Sequence, residues 1–313
     1  PYLIAPETGC TLTYGKLRED SEALGRYLLG QGLAKGDKVA LMLPNSYQAA
    51  RLFIGVMYAG FTVSPLNLLS QRSQLAYVLD HSDTRLVFTS AEFFEPLNEV
   101  LEKLNQSIKL IVIDPDAESV LDAGALPNAS LPPAVDHDEA MLMYTSGTTG
   151  KPKGCVLSQK SVVAGGEFTS AAHGLTKEDR VLCAMPLYHI NGQIVTAVAP
   201  LVHGGSVVMP RRFSASNYWD LVSKYRCTWL NVVPTMIAYL LNGPNPREKG
   251  FAVSQVKFCR SASAPLPPDL HRAFEKQFGI GIIETFGMTE TNAPCFTNPL
   301  DPAKRKIGSP GPA

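Results

Sequence analysis

Residues 140–154 read AMLMYTSGTTGKPKG, and this stretch decides how the rest of the chain is interpreted. The first five residues are apolar or aromatic and predict a buried strand. The ten that follow combine hydroxyl side chains with three glycines and two lysines. Glycine lets backbone N–H groups turn toward an anion, and hydroxyls and lysines add hydrogen bonds and positive charge. The pattern predicts a polyphosphate-binding loop made of Thr145, Ser146, Gly147, Thr148, Thr149, Gly150, Lys151 and Lys153.

This loop is not a Walker A motif. Thr145 stands where that motif needs its first glycine, and Pro152 follows Lys151 where it needs serine or threonine. A flexible surface segment is the ordinary explanation of an isolated Gly/Ser/Thr loop. The phosphate-binding interpretation therefore depends on the motifs elsewhere in the chain.

Length and composition narrow the class of protein. A chain of 313 residues has room for two lobes with a large core. Its 28 basic and 28 acidic residues cancel, so no overall positive field favours a nucleic acid or an anionic membrane as partner. The six cysteines form no CxxC pair and are expected to be reduced, which favours a cytoplasmic location. The first residues lack the pattern of a secretory signal peptide.

Apolar strands alternate with amphipathic helices along the chain, which predicts an α/β fold with parallel sheets covered by helices. Strands are predicted at residues 38–43, 62–64, 85–89, 110–113, 140–144, 180–184, 206–209, 229–233, 257–259 and 280–283. Helices are predicted at residues 13–29, 47–59, 73–80, 93–104, 215–225, 235–241 and 268–278. The uncharged stretches 52–70 and 192–209 contain glycine and proline, and each predicts a buried helix running into a buried strand, not a membrane span.

Three further segments follow the loop. Residues 185–192 read MPLYHING, residues 261–266 read SASAPL and residues 284–291 read ETFGMTET. Together with residues 145–154 they resemble the motifs of the AMP-forming, adenylate-forming superfamily of acyl- and aryl-CoA synthetases, peptide-synthetase adenylation domains and luciferases. The resemblance covers essentially the whole chain. Residues 185–241 look most like carnitine/crotonobetaine-CoA and fatty-acid-CoA ligases, and this resemblance implies a role in fatty acid metabolism.

The resemblance implies an ATP site. Besides the loop, it assigns nucleotide binding to Ser263, Ala264, Pro265, Glu284, Thr285, Phe286, Gly287 and Met288. It implies that Thr289 contacts the α-phosphate and that Glu290 holds Mg²⁺, an ion that prefers carboxylate and phosphate oxygens. A lone Thr-Glu pair would more simply cap a helix. Phe286 replaces the tyrosine usual in the family, and Ala262 replaces a frequent glycine.

The acid pocket is less sharply defined by the resemblance. His189 corresponds to a gate residue and is grouped with Thr289 and Glu290 as catalytic, although a packed histidine is the simpler alternative. The pocket is expected to be walled by His189, Asn231, Val233, Pro234, Ser261 and Ala262. The remaining histidines are expected to be ordinary surface or loop residues: His81, His137, His173, His203 and His271.

The implied reaction is an acid–thiol ligation in two steps. A small-molecule carboxylic acid attacks the α-phosphate of ATP, which gives an acyl-adenylate and pyrophosphate, and coenzyme A then displaces AMP. ATP, Mg²⁺ and coenzyme A are the expected cofactors. Two alternatives stay open: an adenylation enzyme that loads a carrier-protein thiol, and a noncatalytic nucleotide-binding module. A homodimer is compatible with each of these three hypotheses.

The resemblance also implies two αβαβα lobes of a large N-terminal domain, with the active site at their junction. Residues 46–172 are expected to form one lobe, and residues 1–45 with 180–300 the other. Residues 301–313 are expected to be a stub leading toward a missing β-barrel subdomain. The C-terminal domain of the family is expected to be absent, which would leave this chain with little or no ligase activity alone.

Overall fold

The computed structural model describes residues 1–119, 129–145, 151–292 and 294–313. These residues form two compact units. One unit is Leu12–Val162, and the other is Pro1–Thr11 with Val163–Ala313. Each unit centres on one mostly parallel sheet, which confirms the predicted α/β class.

The described residues contain fourteen strands and nine α-helices. The strands are β1 (Leu3–Ile4), β2 (Thr11–Leu12), β3 (Lys38–Met42), β4 (Thr62–Pro65), β5 (Thr84–Thr89), β6 (Lys109–Val112), β7 (Glu139–Thr145), β8 (Lys153–Ser158), β9 (Arg180–Cys183), β10 (Ser206–Val208), β11 (Trp229–Val232), β12 (Phe258–Ser261), β13 (Ile282–Gly287) and β14 (Pro294–Thr297). The helices are α1 (Tyr14–Gly30), α2 (Tyr47–Tyr58), α3 (Arg72–His81), α4 (Ala91–Leu101), α5 (Gln159–Ala172), α6 (Ala199–His203), α7 (Tyr218–Lys224), α8 (Pro234–Leu241) and α9 (Pro268–Phe278). A π-helix, Asn191–Val198, runs directly into α6.

The sheet of the first unit has the strand order β6-β5-β3-β4-β7-β8. All neighbours are parallel except β7 and β8, which pair antiparallel. Helices α1 and α2 begin where the side chains of Thr13 and Ser46 accept the backbone N–H groups of Lys16 and Ala49. Because β3 lies between β4 and β5, the segment that contains it belongs to this unit.

The predicted division of the chain therefore needs a correction. Only Pro1–Thr11 joins the unit of residues 180–300, through the pairing of β1 with β10, whereas the rest of 1–45 belongs with the other unit. The boundary of the first unit lies at Val162, inside α5, not at residue 172. Periodicity predicts that a strand exists, but a parallel strand carries no local signal of its partner. The expectation for 301–313 stays a prediction.

The sheet of the second unit has the strand order β14-β13-β12-β11-β9-β10-β1-β2. In this sheet order, each neighbouring pair from β13 to β1 is parallel, and β14 pairs antiparallel with β13. Every residue of β9, β10, β11 and β12 except Arg180 is buried, as expected for parallel strands covered on both faces. The carboxyl ends of β11, β12 and β13 consequently lie along one edge of this sheet.

Asp179 ties the opposite, amino ends of the strands together. Its carboxylate accepts hydrogen bonds from Thr228 Oγ1 at 2.8 Å and the backbone N–H of Thr176 at 2.9 Å, and lies 2.7 Å from Lys257 Nζ. Its carbonyl accepts the N–H of Ser206 at 3.0 Å. Burial alone would raise the pKa of Asp179, but the hydrogen bonds from Lys257, Thr176 and Thr228 outweigh it and hold that pKa below its usual value. Asp179, which directly precedes β9, thus links the amino ends of β10, β11 and β12, through its carbonyl to β10 and through its side chain to the residues before β11 and β12.

Two of the five histidines expected at the surface are buried, so that expectation is wrong for them. His173 stacks on Phe258 and Trp229, with ring centroids 5.5 and 6.4 Å away, and burial lowers its pKa to about 3. His271 lies between two carboxylates, those of Glu284 and Glu275. The stretch 192–209 forms the expected helix-to-strand unit. None of the helices in the described ranges has the length and apolar character needed to cross a membrane.

Candidate functional site

A cavity of about 360 Å³ lies at the carboxyl ends of β12 and β13. That size is within the roughly 300–1,000 Å³ typical of small-molecule sites. Its lining residues are Ser261, Ser263, Ala264, Pro265, Leu266, Glu284, Thr285, Phe286, Gly287, Gly308 and Pro310. The structure therefore brings together the segments 263–265 and 284–287, which the family resemblance assigned to nucleotide binding. Ser261, assigned to the acid pocket, also faces this cavity.

Two buried hydroxyl groups on this cavity lack hydrogen-bond partners within the described residues. Ser261 and Thr285 are 2% and 6% exposed, and neither hydroxyl oxygen is engaged. An unsatisfied buried polar group costs roughly 1–3 kcal/mol, so a ligand with matching polar atoms is favoured. Phe286 is 46% exposed and offers a ring face for stacking. This combination of polar atoms and an open aromatic ring fits a purine nucleotide.

Glu284 is already held by protein groups. His271 Nδ1 lies 2.9 Å from its Oε1, and the same oxygen accepts the N–H of Gly308 at 2.9 Å. Glu284 thereby fixes Gly308 at the cavity wall, and its direct contact with a nucleotide remains a prediction.

A second cavity, of about 40 Å³, adjoins the first and shares Ser263 and Gly287 with it. Its lining residues are Ile190, Asn191, Ile194, Val195, Arg260, Ala262, Ser263, Gly287, Met288, Asn292 and Pro294. A few non-hydrogen atoms fill this space. The shared wall means that a ligand in the small cavity and one in the large cavity would meet at Ser263 and Gly287.

The π-helix supplies one side of the small cavity. It begins with Asn191 and also carries Ile194 and Val195. A Cβ on Gly192 would lie 2.5 Å from the Pro186 carbonyl oxygen, so glycine is needed there for the loop and the helix to pack closely. Short π-helical segments frequently mark functional sites, because the widened turn redirects its side chains. Sequence periodicity of 3.6 residues per turn does not reveal them.

Ser263, in the shared wall, has a strained backbone. Its φ of 71° lies in the left-handed region, which costs a non-glycine residue roughly 1–3 kcal/mol. Its Oγ accepts a hydrogen bond from Asn191 Nδ2 at 3.1 Å. Strain of this kind persists where the surroundings require one conformation, and here it places the hydroxyl between the two cavities.

Replacement of Ser263 with glycine is expected to raise the free energy of unfolding by about 1 kcal/mol, because glycine adopts positive φ without strain. The same change should weaken ligand binding at the small cavity, since Asn191 loses its anchor. Chemical denaturation and calorimetric titration measure the two effects. Ser263→Ala is the matched control, because it removes the hydroxyl and keeps the strain. Equal stabilities of the two variants would contradict the strain argument.

Arg260 projects from β12 into a group of amides. Its Nη1 donates to Asn191 Oδ1 at 2.7 Å and to Asn231 Oδ1 at 2.9 Å, and Asn231 Nδ2 donates to Asn191 Oδ1 at 3.0 Å. The side chain is 2% exposed. Sequence reasoning missed Arg260, although a charged residue within an apolar parallel strand is costly and was itself a usable signal.

The predicted acid-pocket residues are only partly brought together. Ala262 lines the small cavity, and Asn231 lies behind it as a partner of Arg260. Val233 and Pro234 are half-buried and line neither of the two cavities. The sequence missed Asn292, Ile194 and Val195 as lining residues, because substrate pockets vary within a family.

His189 is exposed and stands one residue before Ile190 of the small cavity. Its ring centroid lies 4.7 Å from that of Tyr188. Partial desolvation lowers its pKa below the usual value, which favours the neutral ring. It does not line either cavity, and its gate role stays a prediction.

The Thr289–Thr291 turn is a short 3₁₀-helix directly after β13. Thr291 Oγ1 accepts the backbone N–H of Met288 at 3.0 Å, which fixes the turn. Glu290 is exposed and has neither a hydrogen bond nor an ion pair with any described residue. A lone carboxylate fits Mg²⁺ that takes its other ligands from phosphate and water. Thr289 and Glu290 thus follow Met288 and Gly287 of the cavity walls.

The predicted phosphate loop is bracketed by the β7–β8 hairpin. Thr145 pairs with Lys153 across it, and Lys151 and Lys153 are exposed. The other residues predicted for this loop lie outside the described residues: Ser146, Gly147, Thr148, Thr149 and Gly150. The two lysines of the predicted loop thus lie in the unit Leu12–Val162.

Comparisons with known proteins extend these observations. A family model described as AMP-binding enzyme matches residues 1–313. A sulfoacetate–CoA ligase of Cupriavidus necator is 54% identical over 313 residues, which are 99% of this chain and 61% of that protein. A crotonobetaine/carnitine–CoA ligase of Citrobacter koseri is 30% identical over 290 residues, with 89% and 55% coverage. The predicted likeness to that group is therefore present, but the first relative is more similar.

A solved structure supports the same fold. ATP-bound MatB from Rhodopseudomonas palustris superposes with a TM-score of 0.87 at 28% identity, over 100% of this chain and 61% of that chain. The chain spans about three fifths of the length of the sulfoacetate–CoA ligase and of this MatB structure.

Proposed function

The chain belongs to the AMP-binding enzyme family, and on this premise we propose that it is the nucleotide- and acid-binding part of an AMP-forming acid–coenzyme A ligase. The observation that carries the proposal is the adjoining pair of cavities with Ser263 and Gly287 in their shared wall. Such an arrangement suits two substrates that must react with each other. Holding reactants in contact removes much of the entropic barrier to their reaction.

The larger cavity is proposed to hold ATP. Phe286 would stack on adenine, and the unsatisfied hydroxyls of Ser261 and Thr285 would hydrogen-bond to the nucleotide. Thr289 is proposed to contact the α-phosphate, and the loop with Lys151 and Lys153 to hold the departing pyrophosphate. Glu290 would hold Mg²⁺, which when bound offsets charge on the phosphates.

The smaller cavity is proposed to hold the acid. Its volume of about 40 Å³ favours a short acid over a long acyl chain. The carboxylate would attack the α-phosphate at the Ser263–Gly287 wall, forming an acyl-adenylate as pyrophosphate leaves. The thiol of coenzyme A would then attack the acyl carbon as AMP leaves. Sulfoacetate is the acid named for the relative of 54% identity and is the first candidate substrate.

Two measurements test this function. Calorimetric titration of the chain with ATP is expected to give saturable binding, and a failure to bind would contradict the proposal. Pyrophosphate release, measured on a polypeptide that carries this chain and the further length of the relatives, is expected to depend on sulfoacetate and Mg²⁺.

The thiol acceptor needs its own comparison. We expect coenzyme A to be acylated, as the names of the CoA-ligase relatives suggest, and a phosphopantetheinylated carrier protein to be a poor substitute. Faster acylation of the carrier protein would favour the alternative adenylation enzyme. ATP binding without pyrophosphate release for any acid would favour a noncatalytic nucleotide-binding module.

A further inference from the structure

Arg260 is a buried cation without a described counter-charge. It is 2% exposed, and its hydrogen-bond partners among the described residues are the neutral amides of Asn191 and Asn231. Burial lowers its pKa to about 9, which still leaves the guanidinium charged at neutral pH. An uncompensated buried charge is costly. An anion bound beside it would offset that cost.

The hydrogen bonds of Arg260 leave donors available. Both amide contacts come from Nη1, and Nε is buried with no hydrogen-bond partner in the described ranges. A guanidinium has five N–H donors in one plane, which match the oxygens of a carboxylate, phosphate or sulfonate in pairs. Asn191 and Asn231 therefore hold one nitrogen of the fork and fix the direction of the rest.

The position of Arg260 limits what the anion can belong to. It lines the small cavity together with the apolar side chains of Ile190, Ile194 and Val195. Ser263 and Gly287 separate this cavity from the large one. The small cavity has a volume of about 40 Å³. An acid whose reacting carboxylate reaches Ser263 can therefore extend toward Arg260 by only a few atoms.

We propose that Arg260 is the specificity-determining residue for the acid, and that its guanidinium binds a second anionic group, a sulfonate or carboxylate, at the far end of a short substrate. The proposal rests on the proposed function, because it takes the small cavity to be the acid site. Arg260 would select the acid, whereas the attack on the α-phosphate would take place at the Ser263 end of the cavity.

The test compares two acids of almost equal shape on the 313-residue chain. Sulfoacetate carries a sulfonate, whereas methylsulfonylacetate has an uncharged sulfone with a methyl group in place of one oxygen. Titrations are made with ATP present and monitored by calorimetry. The chain is expected to bind sulfoacetate about 100-fold more tightly, the scale of charge-assisted hydrogen bonds in a buried site.

Arg260→Met keeps most of the side-chain volume and removes the charge. The affinity of this variant for sulfoacetate is expected to be about 100-fold lower than that of the unsubstituted chain, whereas its affinity for methylsulfonylacetate should change by less than about threefold. Equal losses for both acids, in a variant that still binds ATP, would overturn the proposal and make Arg260 a structural clamp for the two amides.

A second variant keeps the test decisive if Arg260→Met does not fold. Asn231→Asp changes one atom and places a carboxylate where Asn231 Oδ1 now lies, 2.9 Å from Arg260 Nη1. This internal partner should neutralise the guanidinium and lower sulfoacetate affinity about tenfold or more. A structural role for Arg260 predicts unchanged selectivity between the two acids.

The outcomes separate this proposal from the proposed function. A chain that binds no ATP contradicts the proposed function. A chain that binds ATP and binds the two acids equally, before and after either substitution, contradicts the role of Arg260 alone. If both variants lose affinity for sulfoacetate and keep their affinity for methylsulfonylacetate, the role of Arg260 is supported.

Discussion

Replacement of Glu290 with glutamine is expected to lower Mg²⁺-dependent pyrophosphate release by about 100- to 1,000-fold, because the change removes the charge of the proposed Mg²⁺ ligand and keeps the shape of the side chain. The free energy of unfolding should stay within about 0.5 kcal/mol, since Glu290 is exposed and has no described ion pair. The rate is measured on a polypeptide with the full length of the relatives.

Nucleotide binding distinguishes a metal ligand from a general binding defect. When ATP is titrated in the presence of EDTA, Glu290→Gln and the unsubstituted chain should have the same affinity. When MgATP is titrated, Glu290→Gln should bind it less tightly. Glu178→Gln, at another exposed glutamate of the same unit, is the matched control and should change neither value. Equal loss of affinity with and without Mg²⁺ would refute the metal role.

The second large effect is on stability. Asp179→Ala is expected to lower the free energy of unfolding by about 2–4 kcal/mol, because it leaves Thr228 and the Thr176 N–H without their buried acceptor and Lys257 without its partner. Denaturant unfolding followed by circular dichroism gives the value. An effect below about 1 kcal/mol would mean that the tie across the strands is dispensable.

The contribution of Asp179 should also depend on pH. Its pKa is held below the usual value in the folded chain, so its stabilisation is fully present above the pKa of the unfolded chain and is lost as the pH falls through the folded pKa. The stability difference between the unsubstituted chain and Asp179→Asn should therefore shrink in strong acid. Unfolding curves at neutral pH and below pH about 3 check this, and a gap that widens in acid would have the wrong sign.

Much of the fold was predictable because its signals are local. The apolar runs at β3 and β11 predicted buried strands, and Thr13 and Ser46 mark the starts of α1 and α2. Partner choice is not local, which is why residues 12–45 were assigned to the wrong unit. The π-helix also escaped prediction, because its period differs from that of an α-helix.

The candidate site was likewise predictable only where its signals lie in the sequence itself. Motifs located Ser263, Glu284 and Phe286, since their order along the chain carries the resemblance and parallel strands bring their carboxyl ends to one edge. Arg260 was missed although a charge in an apolar strand was a usable signal, whereas its burial and the absence of a described counter-charge are properties of packing. Val233 and Pro234 were expected in the acid pocket from the resemblance, but they line neither cavity.

The tie made by Asp179 has an evolutionary consequence. It concentrates stabilising polar contacts at the amino ends of four strands, whereas both cavities open at the carboxyl ends. Substitutions that alter the proposed acid cavity therefore leave the Asp179 contacts in place. Under the proposed function, a lineage with this architecture could exchange one short acid for another without losing the Asp179 contacts, which would make substrate choice among its most readily evolved properties.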